Sequence, residues 1–436
     1  MKAIIKKSSI QGNIIVPGSK SHTIRAIAIA CLAKGQSKII NPLTSEDTIS
    51  ALNAARELGV KVIEYENYWL INGANGKFIE PKRTINLGNS GTTLRLFSAM
   101  AATSDITVTF DGDDSLRSRP MQPLLDALEQ LGAKIKSNNG KCPITISGSL
   151  KGGHVNVDGT TSQYTSALLI STPLLNEDSI IEVKDLNEVP YVDITLQWLR
   201  SQNINYKTHN FYDKFEVKGN QSYNSFEYGI PADFSTATFP LLAAAITQGE
   251  CIIENLDFSD AQGDKEVFNI FAKMGVKIER GDTNLISNKH GKYNNISKDD
   301  NSIAKLKALK IDLNSTPDAL PAVAVAAACC KGTTIIHNVA QARIKETDRI
   351  ACMAKELRKM GVNITETPDG MIIEGAEKLT GTVVSSYDDH RIAMALTIAG
   401  MVAEGETTVL DCECAAVTYP NFFDDFIRLG GNITLI

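Results

Sequence analysis

The sequence predicts an α/β protein of two domains, each built from three repeated units, and three observations carry the prediction. A helix that closes on a short turn and strand recurs six times, as LNAARELGVKV, LLDALEQLGAKI, ITLQWLRSQNINY, VFNIFAKMGVKI, MAKELRKMGVNI and DDFIRLGGNI. A second helix, rich in alanine and feeding a strand, recurs beside each of them. The Gly and Pro segment GIPAD, residues 229–233, separates the third copy from the fourth, in a chain of 436 residues that exceeds what one core usually supports.

The first helices are marked by Gly59, Gly132, Asn203, Gly275, Gly361 and Gly430, which by subtraction stand 73, 71, 72, 86 and 69 residues apart. The spacing is near-regular with one insertion, and a Gly or Asn at each helix end suits a left-handed C-cap. The second helices read HTIRAIAIACLAKG, GTTLRLFSAMAA, SQYTSALLIST, STATFPLLAAAIT, PDALPAVAVAAACC and HRIAMALTIAGMV. In the first of these, Ile24, Ile27, Ala28, Cys31 and Leu32 form one apolar helical face. The alanine content predicts burial on most sides. Six such units do not suggest a doubly wound sheet, and no GxGxxG follows a strand. A cleft between two pseudo-symmetric domains is the natural site, although a non-catalytic scaffold of repeats would show the same repetition.

Composition narrows the class. With 43% hydrophobic and 22% charged residues the chain is ordinary globular protein, and a net charge of −6 argues against nucleic-acid or anionic-membrane partners. The opening MKAIIKKSSIQG lacks the apolar run of a signal peptide, and no stretch of about 18 apolar residues offers a membrane span, so a soluble cytoplasmic protein is expected. The eight cysteines form no CxxC pair, which predicts reduced, packed thiols with no metal. Any anion site must concentrate cations locally.

Cations do collect at helix starts, where the macrodipole disfavours them unless an anion binds there. Lys20 and Arg25 lie in PGSKSHTIR, Arg95 in GNSGTTLR, and His390 with Arg391 in YDDHR. The Asn89, Ser90, Gly91, Thr92 turn leads into a helix whose N–H groups suit a phosphate or carboxylate. In QARIKETDR, Lys345 and Arg349 share a face if the segment is helical, with Glu346 and Asp348 near; an ion-paired surface helix accounts for this equally. Arg119, in SLRSRPM, precedes a proline suited to open the next helix, and a plain loop is the alternative. Asp389 is placed to cap the helix that follows it.

PGSKSHTIRA, LGNSGTTLR, the RPM turn, DGTTSQYTSALL, PYVDIT, TPDA, RIKETDR and YDDHRIAMA occur in the order seen in EPSP synthases, and the chain resembles that enolpyruvyl transferase family from about Pro17 to Pro420. The resemblance implies an inside-out α/β barrel in each of two domains, three βαβαββ repeats apiece, with the active site in the interdomain cleft. It implies a shikimate 3-phosphate domain at 19–231, and a second domain, 1–18 plus 232–436, carrying most of the acid and base groups. The implied activity moves the carboxyvinyl group of phosphoenolpyruvate onto the 5-hydroxyl of shikimate 3-phosphate through a tetrahedral intermediate. Phosphate leaves, in a step toward chorismate and aromatic amino acids that needs no cofactor. The partners expected are the two substrates alone, with no nucleic acid or membrane, and the chain is expected to be a monomer.

Carried over residue by residue, the resemblance assigns phosphoenolpyruvate to Lys20, Asn89, Gly91, Arg119, Gln163, Arg349, His390 and Arg391. It assigns shikimate 3-phosphate to Lys20, Ser21, Arg25, Thr161, Ser162, Gln163, Tyr191, Asp318, Gln341 and Lys345, the phosphate itself falling to Thr161, Ser162 and Lys345. Asp318 near the 5-hydroxyl and Glu346 near C3 of the enolpyruvyl group handle protons, with Lys20. Two departures stand out. Val417 replaces a lysine that contacts phosphoenolpyruvate in the family and whose loss also bears on glyphosate, which competes for the same clamp. Glu188 replaces a serine beside the 3-phosphate, and is expected to point away or to bind a cation. The sister reaction on UDP-N-acetylglucosamine is the runner-up; its loop cysteine is here Asp114, and the nearest cysteine is Cys142.

Overall fold

A computed structural model describes residues 1–280, the strand at 293–295 and residues 306–436. The insertion expected between Gly275 and Gly361 includes residues 281–292 and 296–305, which lie outside the described residues. The chain divides into two compact units: an inserted unit, Gly18–Ile230, and a terminal unit, Met1–Pro17 with Pro231–Ile436.

The repeat is strand, helix, strand, helix, hairpin. In the third copy, strand Gly153–Asp158 leads through helix Ser162–Ser171 to the parallel strand Ser179–Lys184; helix Val189–Ser201 then leads to an antiparallel hairpin, Tyr206–Thr208 with Lys214–Val217. Register places Val155 beside Ile181 and Ile181 beside Phe215, so one face of the sheet is an apolar row. Among the described residues six four-stranded sheets share this pattern of one parallel and two antiparallel pairings, and a two-stranded ribbon accompanies them.

Three repeats borrow a strand from elsewhere in the chain. Glu227–Gly229 opens the first repeat by pairing with Lys34–Ile40, Gln11–Ile15 opens the fourth beside Glu250–Glu254, and Lys2–Lys6 closes the sixth between Glu406–Leu410 and Asn432–Leu435. These exchanges are why the terminal unit owns the first 17 residues.

Each marker residue has a positive φ: Gly59 +88°, Gly132 +106°, Asn203 +57°, Gly275 +105°, Gly361 +90° and Gly430 +109°. The left-handed turn that ends each first helix therefore recurs in all six copies. The second helices are buried on every side; in Lys20–Leu32 each residue from His22 onward is buried, and the single apolar face read from the sequence is part of a fully enclosed helix. Within the inserted unit, Lys20–Leu32 and Ser162–Ser171 both pack on Gly91–Ala101; within the terminal unit, Phe234–Thr247, Leu320–Ala328 and His390–Gly400 pack on one another. Alanine suits that position because small side chains let three helices approach closely while burying apolar surface. Helices thus form the inside of each unit, and the sheets, whose strands alternate buried and exposed residues, form the outside. No helix among the described residues is long and apolar enough to cross a membrane.

Candidate functional site

In the inserted unit, side chains four or five residues into the second helices touch. Arg25, 1% exposed, donates from Nε to Thr195 Oγ1 at 2.8 Å and from its terminal nitrogens to Ser166 Oγ at 3.3 Å and to the carbonyls of Tyr191 at 2.9 Å and Ser21 at 3.1 Å. Arg95 donates to the Pro120 carbonyl at 3.3 Å and lies over the ring of Tyr164, whose hydroxyl donates to that same carbonyl at 2.7 Å. These contacts bring the N-terminal halves of the three helices together, where their dipoles add to the cations.

At that end, Arg119 donates to the Asn89 carbonyl at 3.2 Å, to the Asn89 side-chain oxygen and to Ser115 Oγ. A Cβ on Gly91 would collide with the guanidinium nitrogens of Arg95 and Arg119, so glycine is what lets both cations approach the helix start. Lys20 pairs with Asp47 at 3.0 Å. The acceptors of Arg25 and Arg95 are neutral. Burial lowers the pKa of Arg25 to about 10, and burial with the nearby charge of Arg119 lowers that of Arg95, although both stay protonated at neutral pH.

Thr161 caps helix Ser162–Ser171 by accepting from the N–H of Gln163 at 3.4 Å. The same helix start holds an unforeseen neighbour. Glu188 is 1% exposed, and its Oε2 accepts from Thr161 Oγ1 at 3.1 Å, Ser162 Oγ at 2.9 Å and the Ser162 N–H at 3.3 Å. The expectation that Glu188 turns away is corrected: a buried carboxylate needs donors, and this helix start supplies three.

The terminal unit is arranged differently. Arg349, fully buried, donates from Nε to Asp389 at 2.8 Å, from one terminal nitrogen to Asp318 at 2.8 Å and from the other to Glu346 at 2.6 Å. Arg391 binds the second oxygen of Asp318 at 2.9 Å and Ser235 Oγ at 2.9 Å. Burial alone would lower the pKa of Arg349, but Asp389, Glu346 and Asp318 together raise it. Burial would likewise raise that of Asp318; Arg391, Lys345 and Arg349 outweigh it and hold the carboxyl well below the usual range. Asp389 caps its helix as expected, accepting from the Arg391 N–H at 2.9 Å, and is also the main anchor of Arg349, which the sequence did not signal.

Two local expectations are corrected. QARIKETDR is not one helix: Ala340–Ile344 is a 3-10 turn, Lys345 leaves helical geometry with ψ −143°, and the helix begins at Arg349 with Asp348 as its cap. Lys345 and Arg349 do not share a helix face, although Lys345 still acts on the charge of Asp318. Pro120 opens no helix; Arg119 ends the short helix Asp114–Ser118, and Pro123 stands in the first turn of Gln122–Gln130. Of the remaining expected residues, Gln341 is buried and donates to the Asn314 carbonyl at 3.1 Å, His390 opens its helix fully buried, and Val417 is half-buried at the end of the 3-10 segment Cys412–Val417. Ser21, Gln163 and Tyr191 are partly exposed in their helices. Lys20, Ser21, Arg25, Asn89, Gly91, Arg119, Thr161, Ser162, Gln163 and Tyr191 belong to the inserted unit; Asp318, Gln341, Lys345, Glu346, Arg349, His390 and Arg391 belong to the terminal unit.

Comparison with known proteins agrees across the whole length. The family model for EPSP synthase (3-phosphoshikimate 1-carboxyvinyltransferase) matches residues 4–426. The 3-phosphoshikimate 1-carboxyvinyltransferase of Acetivibrio thermocellus is 45% identical, covering 99% of this chain and 98% of that protein. Its namesake from Ruminiclostridium cellulolyticum is 46% identical, covering 99% of each. A solved EPSP synthase from Acinetobacter baumannii superposes with a TM-score of 0.83 at 28% identity, covering 99% of both chains. The chain belongs to the EPSP synthase family.

Proposed function

We propose that the chain transfers the carboxyvinyl group of phosphoenolpyruvate to the 5-hydroxyl of shikimate 3-phosphate, by addition and elimination through a tetrahedral intermediate that releases phosphate, as a cytoplasmic monomer in aromatic amino-acid biosynthesis. The observation that carries the reading is the sharing of Arg349 between Asp318 and Glu346, within a family of this activity.

Two highly charged anions must be brought together, so fixed cations are the first requirement. Arg349 and Arg391 present planar donors suited to carboxylate and phosphate, with His390 beside them, and Arg119, Lys20, Asn89, Gly91 and Gln163 complete the phosphoenolpyruvate set. Ser21, Arg25, Gln163, Tyr191 and Gln341 take the shikimate ring, and Thr161, Ser162 and Lys345 its phosphate.

The pairing also bears on timing. A carboxylate whose pKa is depressed is a weak base. While Asp318 rests on Arg349 and Arg391 it cannot readily take a proton from a hydroxyl. When the anionic groups of phosphoenolpyruvate share those guanidiniums, the hold on Asp318 and Glu346 loosens and their proton affinity rises. Asp318 then takes the 5-hydroxyl proton as that oxygen attacks C2, while Glu346, with Lys20, delivers a proton to C3. The acid–base pair is thereby active chiefly when substrate is bound.

Phosphate release from shikimate 3-phosphate plus phosphoenolpyruvate tests the reading, with UDP-N-acetylglucosamine as the competing acceptor. Release with the first acceptor and not the second is expected; the reverse would overturn it. The runner-up is disfavoured because Asp114 is an exposed carboxylate paired with Arg117, and burial pushes the Cys142 thiol up to about 12.

A further inference from the structure

We propose that Glu188 is an intramolecular surrogate for the phosphate of the acceptor substrate: its carboxylate fills the donor cluster at the start of helix Ser162–Ser171 and must be displaced when a phosphate arrives. The inference rests on the assignment of Thr161 and Ser162 to that phosphate.

One oxygen of Glu188 gathers two hydroxyl donors and one backbone N–H, at 2.9–3.3 Å. This is a donor set that a phosphoryl oxygen accepts equally well, at a helix N-terminus that favours negative charge. The surrounding potential is positive without Glu188, since Arg25 and Arg95 both respond to its charge while resting on neutral acceptors. Backbone conformation adds a second observation. Glu188 lies in the left-handed region at φ 57°, ψ 40°, which a residue with a side chain seldom occupies, as it caps the start of helix Val189–Ser201. The chain accepts that conformation where it turns a carboxylate onto the neighbouring helix.

The consequence is a competition that only a phosphorylated acceptor enters. A phosphate monoester carries close to two charges and three acceptor oxygens, so it can outcompete a single carboxylate for these donors. A hydroxyl at the same position of an unphosphorylated acceptor cannot. Glu188 therefore weakens the phosphorylated acceptor, which must displace it, and leaves an unphosphorylated one little affected.

The test compares the parent protein with Glu188→Gln and Glu188→Ser, measuring shikimate 3-phosphate, shikimate and inorganic phosphate by calorimetry, with melting temperature recorded for each. Both variants are expected to bind shikimate 3-phosphate on the order of tenfold more tightly, because the competing charge is gone, while shikimate changes little. Inorganic phosphate should tighten in parallel. Unchanged or weaker shikimate 3-phosphate binding in folded variants overturns the proposal, leaving Glu188 as a cap alone. Because both variants remove a buried partner and can lose stability, the parent protein supplies a second readout. A structure with shikimate 3-phosphate bound should have the Glu188 carboxylate off the Ser162 N–H, and its retention there overturns the proposal. Ser162→Ala separates the two levels. Selective loss of shikimate 3-phosphate with no gain in the Glu188 variants refutes the surrogate only, whereas equal loss of both acceptors refutes the phosphate assignment and the surrogate with it.

Discussion

The inserted unit rests its buried guanidiniums on neutral acceptors, the hydroxyls of Thr195 and Ser166 and the carbonyls of Tyr191 and Pro120, while the terminal unit surrounds Arg349 with three carboxylates. Similar repeats with similar helix ends thus hold positive charge in two ways. Neutral acceptors do not cancel the charge, which favours an incoming anion, and burial lowers the pKa of Arg25 and Arg95. Carboxylates compensate it, which fixes Arg349 firmly and holds Asp318 in its ionised form. The first arrangement suits binding and the second suits chemistry. Lys20 with Asp47 and the donor cluster with Glu188 are where the inserted unit departs from its own pattern.

The largest effect should come from removing the cation with the most anions on it. Arg349→Met leaves Asp318, Glu346 and Asp389 facing one another without their common partner, and a loss of about 3–5 kcal/mol is expected. Arg25→Met removes hydrogen bonds to neutral acceptors only, and Thr195 already donates to Ser166 at 2.9 Å, so about 1–3 kcal/mol is expected there. Denaturant unfolding of both variants measures the difference. Equal losses would show that the two kinds of partner do not matter in the way argued.

Next comes chemistry within the terminal unit. Glu346→Gln keeps the shape and an acceptor for Arg349 while removing the carboxylate proposed to transfer the proton, so turnover should fall on the order of 100-fold or more with substrate affinities retained. Turnover within threefold of the parent would remove Glu346 from the mechanism.

Much of this was legible beforehand because the repeat rests on a backbone rule. A left-handed C-cap calls for Gly or Asn, and the six positions chosen for that reason all have positive φ. The alanine-rich helices were legible because small side chains signal enclosure. What stayed hidden depended on long-range partners or on local conformations with no strong residue signature. Asp47 lies far along the chain from Lys20, and nothing near either marks the pair. The four-residue spacing of Lys345 and Arg349 resembles a helix, but Asp348 caps a helix that starts only at Arg349. Like-charge reasoning has Glu188 point away from the 3-phosphate or bind a cation, and it misses that Thr161 and Ser162, distant in sequence, supply donors to its buried carboxylate.

Acid stability sharpens the comparison further. The carboxyl of Asp318 sits well below its unfolded value, near 3.9, so between its folded pKa and that value the unfolded chain binds more protons and stability rises with pH. The contribution is present above about pH 4 and declines as the pH falls through the window below it, by up to about 1.4 kcal/mol per pH unit. Asp318→Asn should flatten that slope. An unchanged slope in acid unfolding would mean that the pairing with Arg349 and Arg391 does not favour the ionised form.

The smallest effect tests whether a cation added to the carboxylate-rich unit makes it bind anions better. Val417 stands where the family commonly carries a lysine, and its position at the end of Cys412–Val417 is half-buried. An ammonium there would be partly solvated, so its contact with an anion is worth less than a buried one, about 1 kcal/mol or roughly fivefold in affinity. Val417→Lys should therefore tighten phosphoenolpyruvate modestly, and glyphosate with it if both take the same clamp. Gly91 is present, and the guanidiniums of Arg95 and Arg119 already crowd the place a Cβ would take, so weak glyphosate binding by the parent would trace to charge and not to an added side chain. The opposing expectation is equally definite. If Val417 contributes packing and the carboxylate network captures the new cation, the melting temperature shifts while both affinities stay where they were. Measuring both ligands and the melting temperature on the one variant decides between added field and added ion pair, and a gain for neither ligand would sink the missing-cation account.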